Sequence, residues 1–217
     1  MKLYTYFRSS AAYRVRIALA LKGLDHTAVP IHLVRDGGEH LKPGFTALNP
    51  MALVPALEDE GVLLTQSLAI IEYLEETRPH PALLPDGAAA RARVRAFAQG
   101  IACDIHPINN LRILRYLRGP LALAEEQVQA WIRNWVETGF RALEQMVDQP
   151  GEVQAGGRFC FGEAPSLADI CLVPQMYNAR RFDCDLSACP TLVAIDAHCR
   201  SLPAFQAAAP DAQPDAG

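Results

Sequence analysis

The chain has 217 residues, half of them hydrophobic and a fifth charged, with 20 Lys and Arg against 24 Asp and Glu for a formal net charge of −4. Enough apolar material is present to exclude disorder over most of the chain, and the mild acidity argues against a nucleic-acid partner, which calls for a basic excess. Apolar runs such as the one ending at Leu21 are broken by Arg or Lys well short of the ~18 residues of a membrane span, and Arg8 follows the short apolar start too soon for a signal peptide.

The predicted elements run as follows. Leu3 to Phe7 reads as a strand, because Tyr and Phe favour strands, and Ser9-Ser10 then breaks it and offers a helix cap. Val15, Ala18 and Leu19 fall at helical spacing within a helix from Ala11 to Gly23. Thr27 to Leu33 reads as a second strand, Asp36-Gly37-Gly38 as a loop, and Leu41 to Leu48 as a short helix stopped by Asn49-Pro50. Val54 to Leu57 and Val62 to Leu64 read as a hairpin, followed by a helix over Gln66 to Thr77. This β-α-β-α-β-β-α order describes a small three-layer α/β domain, and Pro79, Pro81, Pro85 and Gly87 mark its end.

Everything after that reads as helical. Val94, Phe97, Ala98, Ile101, Ala102 and Ile105 keep the 3.6-residue period, as do Val128, Trp131, Ile132, Trp135 and Val136, so both tryptophans are assigned to the core. Ser166 to Ala179 is almost wholly apolar and belongs at the domain centre, opened by a capping box of Ser166 and Asp169; Thr191 to Leu202 is the last helix. The boundaries are therefore 1–80 for the α/β domain, 81–87 for a linker and 88–217 for an all-helical domain, with a loose tail from about 207.

Six cysteines, at 103, 160, 171, 184, 189 and 199, include no Cys-x-x-Cys pair and read as reduced thiols of a cytoplasmic protein. Cys103, Asp104 and His106 form one cluster without a second, so no metal site is expected.

Three places carry chemistry. Ser9-Ser10 opens the first helix, where unpaired amides and the helix dipole favour a thiolate or carboxylate; a plain cap is the alternative. Val54-Pro55 starts the third strand, and a cis bond there turns the Val54 backbone outward to pair with an extended ligand; a trans edge proline is the alternative. Gln66-Ser67 opens another helix with a second anion site or, again, a cap. Placed at consecutive corners of one sheet, the three would grip an extended anionic peptide with one reactive end. His106-Pro107-Ile108-Asn109-Asn110 interrupts a helical pattern, which suits either a polar patch in a cleft or a surface kink.

The run Tyr6-Phe7-Arg8-Ser9-Ser10 with Arg14-Val15-Arg16-Ile17-Ala18-Leu19 resembles the zeta class of glutathione transferases. So do Leu48-Asn49-Pro50 with Val54-Pro55, Gln66 to Glu75, Asp104-Ile105-His106-Pro107 and Asn178-Ala179-Arg180-Arg181-Phe182. The resemblance implies a thioredoxin-like N-terminal domain, an all-helical C-terminal domain, a homodimer and glutathione as the working thiol. It implies that Ser9 and Ser10 lie beside that thiol, that Val54 and cis Pro55 pair with the cysteinyl backbone, and that Gln66 and Ser67 take the γ-glutamyl group. His106 and Asn110 are further candidates for glutathione. Arg8, Arg112 and Arg181 are candidates for a doubly anionic keto acid, with Arg8 and Arg181 also stabilising charge in the reaction. One departure stands out: the family's Ser-Ser-Cys reads here Ser9-Ser10-Ala11, leaving the hydroxyls and the helix N-terminus to lower the thiol pKa. The implied activity is cis–trans isomerisation of maleylacetoacetate in aromatic amino-acid breakdown, by reversible thiolate addition to the double bond. Maleylpyruvate isomerisation and general conjugation of glutathione to electrophiles are the alternatives.

Overall fold

The computed structural model describes residues 1–148 and 157–216. The chain divides into two compact units, one of residues Met1–Leu83 joined by the segment from Ser201 onward, the other of Leu84–Arg200.

The first unit is built on a four-stranded sheet of order β2-β1-β3-β4, from β1 (Lys2–Thr5), β2 (Thr27–Pro30), β3 (Ala56–Asp59) and β4 (Val62–Thr65). β1 and β2 are parallel across helix α1 (Ser10–Leu21), and β3 and β4 add antiparallel. Side chains alternate between the two faces. Tyr4 and Ala56 pack with Phe45 of the one-turn α2 (Pro43–Thr46), the Tyr4 and Phe45 rings meeting edge-on at 6.2 Å. Leu3 and Leu57, paired in register, point the opposite way and are fully buried. α1 is buried from Ala12 to Leu19 on every side, and packs on α3 (Ser67–Thr77) and α9 (Pro203–Ala208).

That last contact corrects the sequence reading of a loose tail from 207. α9 leads into a 3-10 turn over Pro210–Ala212, and Ala216 packs against the cluster of Tyr6, Phe7 and Val54. A stretch of Ala, Pro and Asp carries no periodicity of its own; tertiary partners order it. β2 stops at Pro30 rather than Leu33, as a proline with no amide to donate suits the end of an edge strand. β3 begins at Ala56, behind a cis Val54–Pro55 bond, and the short helix expected over 41–48 is a 3-10 turn over Glu39–Leu41 followed by α2.

The second unit holds α4 (Ala88–Gln99), α5 (Leu111–Arg118), α6 (Glu125–Val147), α7 (Leu167–Arg181) and α8 (Pro190–Arg200). α7 is its centre: every residue from Leu167 to Met176 is buried, and α4 and α8 pack against it. Its entry is the capping box foreseen at Ser166 and Asp169. Asp169 accepts from the Ser166 amide at 2.8 Å, from Ser166 Oγ at 2.9 Å and from the Cys160 amide at 2.8 Å. α4 runs on into a π-helical turn over Gly100–Ile105, closed by the His106 amide on the Ile101 carbonyl at 2.9 Å. Gly139 on α6 lies against that turn, where a Cβ would fall inside the Ile105 side chain. Trp135 departs from its core assignment. It is 40% exposed and stacks edge-on with Trp131 at 5.8 Å, while the Trp131 indole donates to the Ile108 carbonyl at 3.0 Å. The 3.6-residue stripe carries Ile132 and Val136 inward and leaves the tryptophans at its edge.

Candidate active site

Strand register brings three of the predicted places to one end of the sheet. Tyr4 pairs with Ala56, and Ala56 with Thr65. The exit of β1 towards Ser9-Ser10, the entry to β3 at Val54-Pro55 and the exit of β4 to Gln66-Ser67 therefore share that end.

At the first corner Ser9 is the N-cap of α1, its Oγ accepting from the Ala12 amide at 3.2 Å. Ser10 occupies the first helical position and is nearly buried. Arg8 stands exposed beside them, its guanidinium 4.8 Å from the Phe7 ring centre. At the second corner Val54 and Pro55 are buried, and the Val54 peptide lies ahead of the β3 ladder.

At the third corner Gln66 is exposed and held at φ 69°, a region that non-glycine residues seldom adopt and that collects at functional sites. It makes no side-chain cap, so no side chain of its own caps the first turn of α3. Ser67 is nearly buried, and its Oγ accepts from Nη1 of Arg14 at 3.3 Å. An uncapped helix start, a buried hydroxyl and a buried guanidinium behind it form a cradle suited to a carboxylate. These residues suit the chemistry of glutathione: an uncapped helix start at α3, a peptide ahead of the β3 ladder at Val54 and a polar helix start at Ser9-Ser10.

The other candidates lie in the second unit. His106 sits half-buried where the π-helical turn meets a 3-10 turn at Pro107–Asn109. Asn110 has a structural task as N-cap of α5, its Oδ1 accepting from the amides of Arg112 and Ile113 at 3.1 and 3.3 Å. Arg112 is exposed on α5. Arg180 and Arg181 end α7 with different partners. Arg180 forms an ion pair with buried Asp196 at 2.7 Å, whereas the Arg181 guanidinium lies 4.5 Å from the Phe182 ring centre.

The cysteines are free, and burial raises the thiol pKa of Cys160, Cys189 and Cys199 and lifts Cys184 to about 11, so these four stay protonated at neutral pH. Among the described residues no cluster of three or more metal-ligating side chains occurs, and no helix is long and apolar enough to cross a membrane.

Sequence reasoning missed the supports behind the corners. Arg14 and Arg16 are 1% and 2% exposed, on a helix buried all round. Arg16 donates to the Ala208, Tyr6 and Phe7 carbonyls and to Thr5 Oγ1 at 3.0–3.3 Å. Two charges within an otherwise apolar helix were the available signal, since buried arginines are rare unless paired.

Residues 8–77 match the family model of the glutathione S-transferase N-terminal domain. Together with the fold, that match defines the class as a glutathione transferase. Over the full length the chain is 53% identical to a probable maleylacetoacetate isomerase of Vibrio cholerae, covering 99% of this chain and 97% of the relative. It is also similar to a bacterial maleylpyruvate isomerase described as a zeta-class glutathione transferase (TM-score 0.95, 50% identity, all of both chains). A maleylacetoacetate isomerase from Methylobacterium extorquens AM1 with malonate and glutathione bound aligns over all of both chains, at TM-score 0.93 and 43% identity. The chain belongs to this zeta-class family of maleylacetoacetate and maleylpyruvate isomerases.

Proposed function

We propose that the chain catalyses the glutathione-dependent cis–trans isomerisation of maleylacetoacetate to fumarylacetoacetate. The observation that carries the reading is the full-length likeness to an isomerase solved with glutathione and a dicarboxylate bound, on a fold whose three candidate corners share one end of the sheet.

When bound, glutathione would supply the thiolate for reversible addition to the conjugated double bond, which would free that bond to rotate. The chain's own residues bind and bias that chemistry. The α3 N-terminus, Ser67 and Gln66 take the γ-glutamyl carboxylate, and the Val54 backbone pairs with the cysteinyl unit. Ser9 and Ser10, at the α1 N-terminus, stabilise the anionic sulfur and so hold its pKa down; Ala11 adds no thiol of its own. Arg8 and Arg181 are assigned to the substrate carboxylates and to the enolate charge that develops after addition, since both are exposed cations resting on aromatic rings. Arg112 is a further substrate contact. His106 adds to glutathione binding, and Asn110 does so only through its amide nitrogen, its oxygen being engaged in the cap. The protein is read as a cytoplasmic homodimer serving tyrosine breakdown.

Maleylpyruvate is the second reading, favoured by the 0.95 TM-score to an enzyme of that name. The two substrates differ beyond the ketone, so the common chemistry stands for either. Side-by-side assays of the two substrates, with and without glutathione, test both readings. Turnover requires glutathione, and the faster substrate names the activity. Turnover without glutathione, or conjugation of chloro-dinitrobenzene with neither maleyl substrate consumed, overturns the isomerase reading.

A further inference from the structure

The peptide groups of Phe7 are held from two sides. Its amide donates to Asp215 Oδ2 at 3.0 Å, and its carbonyl accepts from Nη2 of Arg16 at 3.0 Å. Arg16 also reaches the Tyr6 carbonyl and Thr5 Oγ1, and its Nε donates to the Ala208 carbonyl at 3.0 Å. One buried cation and one carboxylate thus fix the chain from Thr5 to Phe7, immediately before Arg8-Ser9-Ser10. The carboxylate arrives from 208 positions away, on the segment that the sequence marks as loose. Two further observations agree. Ala216 packs on the Tyr6, Phe7 and Val54 cluster, and the charge of Asp215 helps Arg16 to stay protonated against the burial that lowers its pKa to about 10.

We propose that Asp215, acting with Arg16, is a positioning residue for the Ser9-Ser10 corner: the tail carboxylate fixes the Phe7 peptide so that the hydroxyls and amides beyond it meet the thiolate in a set geometry. The inference rests on the glutathione reading of that corner. Without the Asp215 acceptor the Phe7 amide loses its carboxylate, while Arg16, the Ile31 amide on the Thr5 carbonyl and the Ser9 amide on the Tyr6 carbonyl remain; even a small misplacement of groups that stabilise charge is costly to rate.

The test compares the parent with Asp215→Ala and Asp215→Asn by amide hydrogen exchange and by kcat/KM for glutathione across pH. In Asp215→Ala, exchange speeds up over residues 5–12 but not in α7. Its kcat/KM for glutathione falls about tenfold, and the acid limb of the profile moves to higher pH because the thiol is less stabilised. KM for the maleyl substrate stays within twofold, and Asp215→Asn, which keeps an acceptor oxygen, recovers most of the loss. Unchanged exchange over residues 5–12 overturns the proposal. So does faster exchange with an unmoved pH profile, which would leave Asp215 as a structural tie. A parent with no glutathione-dependent turnover refutes the reading of the corner on which the proposal rests, whereas an active parent with an unmoved profile in Asp215→Ala overturns the proposal alone.

Discussion

Lys22 closes α1 with a side chain that has no exposed surface. Its Nζ donates to Glu75 Oε2 at 2.8 Å, to the Arg78 carbonyl at 2.7 Å and to the Pro81 carbonyl at 2.9 Å. Both Glu75 oxygens accept from the Leu83 amide at 3.0 Å, so one buried ion pair ties α1, α3 and the chain leaving the first unit. Lys22→Met keeps the aliphatic stem and removes the charge. It takes the cation from a buried carboxylate and the donor from two carbonyls, a loss of about 3–5 kcal/mol. At ~2–4 °C per kcal/mol for a chain of this size, the midpoint falls by roughly 6–20 °C. Thermal and urea unfolding followed by circular dichroism measure it. The pair Lys22→Met with Glu75→Gln removes the buried charge but keeps an acceptor for Leu83, and should recover more than half of the loss. A single-variant loss under ~1 kcal/mol, as at a surface pair, refutes the reasoning. So does a double variant no more stable than the single one.

Asp169→Ala strands the buried amides of Cys160 and Ser166 and should cost about 3–5 kcal/mol in urea unfolding, with Ser166→Ala milder because the carboxylate stays. Ser9→Ala removes the acceptor for the Ala12 amide and should cost about 1 kcal/mol. Ser10→Ala leaves that cap intact, so its stability should stay within ~0.5 kcal/mol while glutathione-dependent kcat/KM falls ~10–100-fold; equal activity would remove Ser10 from the mechanism. Glu125 pairs bidentately with Arg118, which holds its carboxyl at about 2. Since that pKa is lower folded than unfolded, the pair's contribution is present above the ordinary carboxyl range and is lost as pH falls from there through 2. Arg118→Gln should flatten this part of a midpoint-versus-pH curve, by a small amount for an exposed pair.

Much of the fold was legible because local rules and tertiary packing agreed. Strand-favouring Tyr and Phe marked β1, the 3.6-residue period marked α4 and α6, and an almost wholly apolar run marked α7. Ser166 and Asp169 announced a helix start that the structure completes with the Cys160 amide. Trp135 failed because a stripe wide enough to include it is wider than the surface α6 buries. The candidate site was legible as residue types at strand–helix junctions, where unpaired amides always occur.

By itself the sequence determined the class of most elements, the order β-α-β-α-β-β-α and the family, because these depend on neighbours a few residues apart. Tertiary structure alone decided which junctions share an end of the sheet, since register depends on pairing between strands some 50 residues apart, as Tyr4 with Ala56 shows. It also decided the tail. No local pattern predicts that Asp215 returns to the Phe7 amide or that Ala208 meets Arg16. The net charge of −4 likewise says nothing of the two arginines that α1 buries, because a sum over the chain carries no positions.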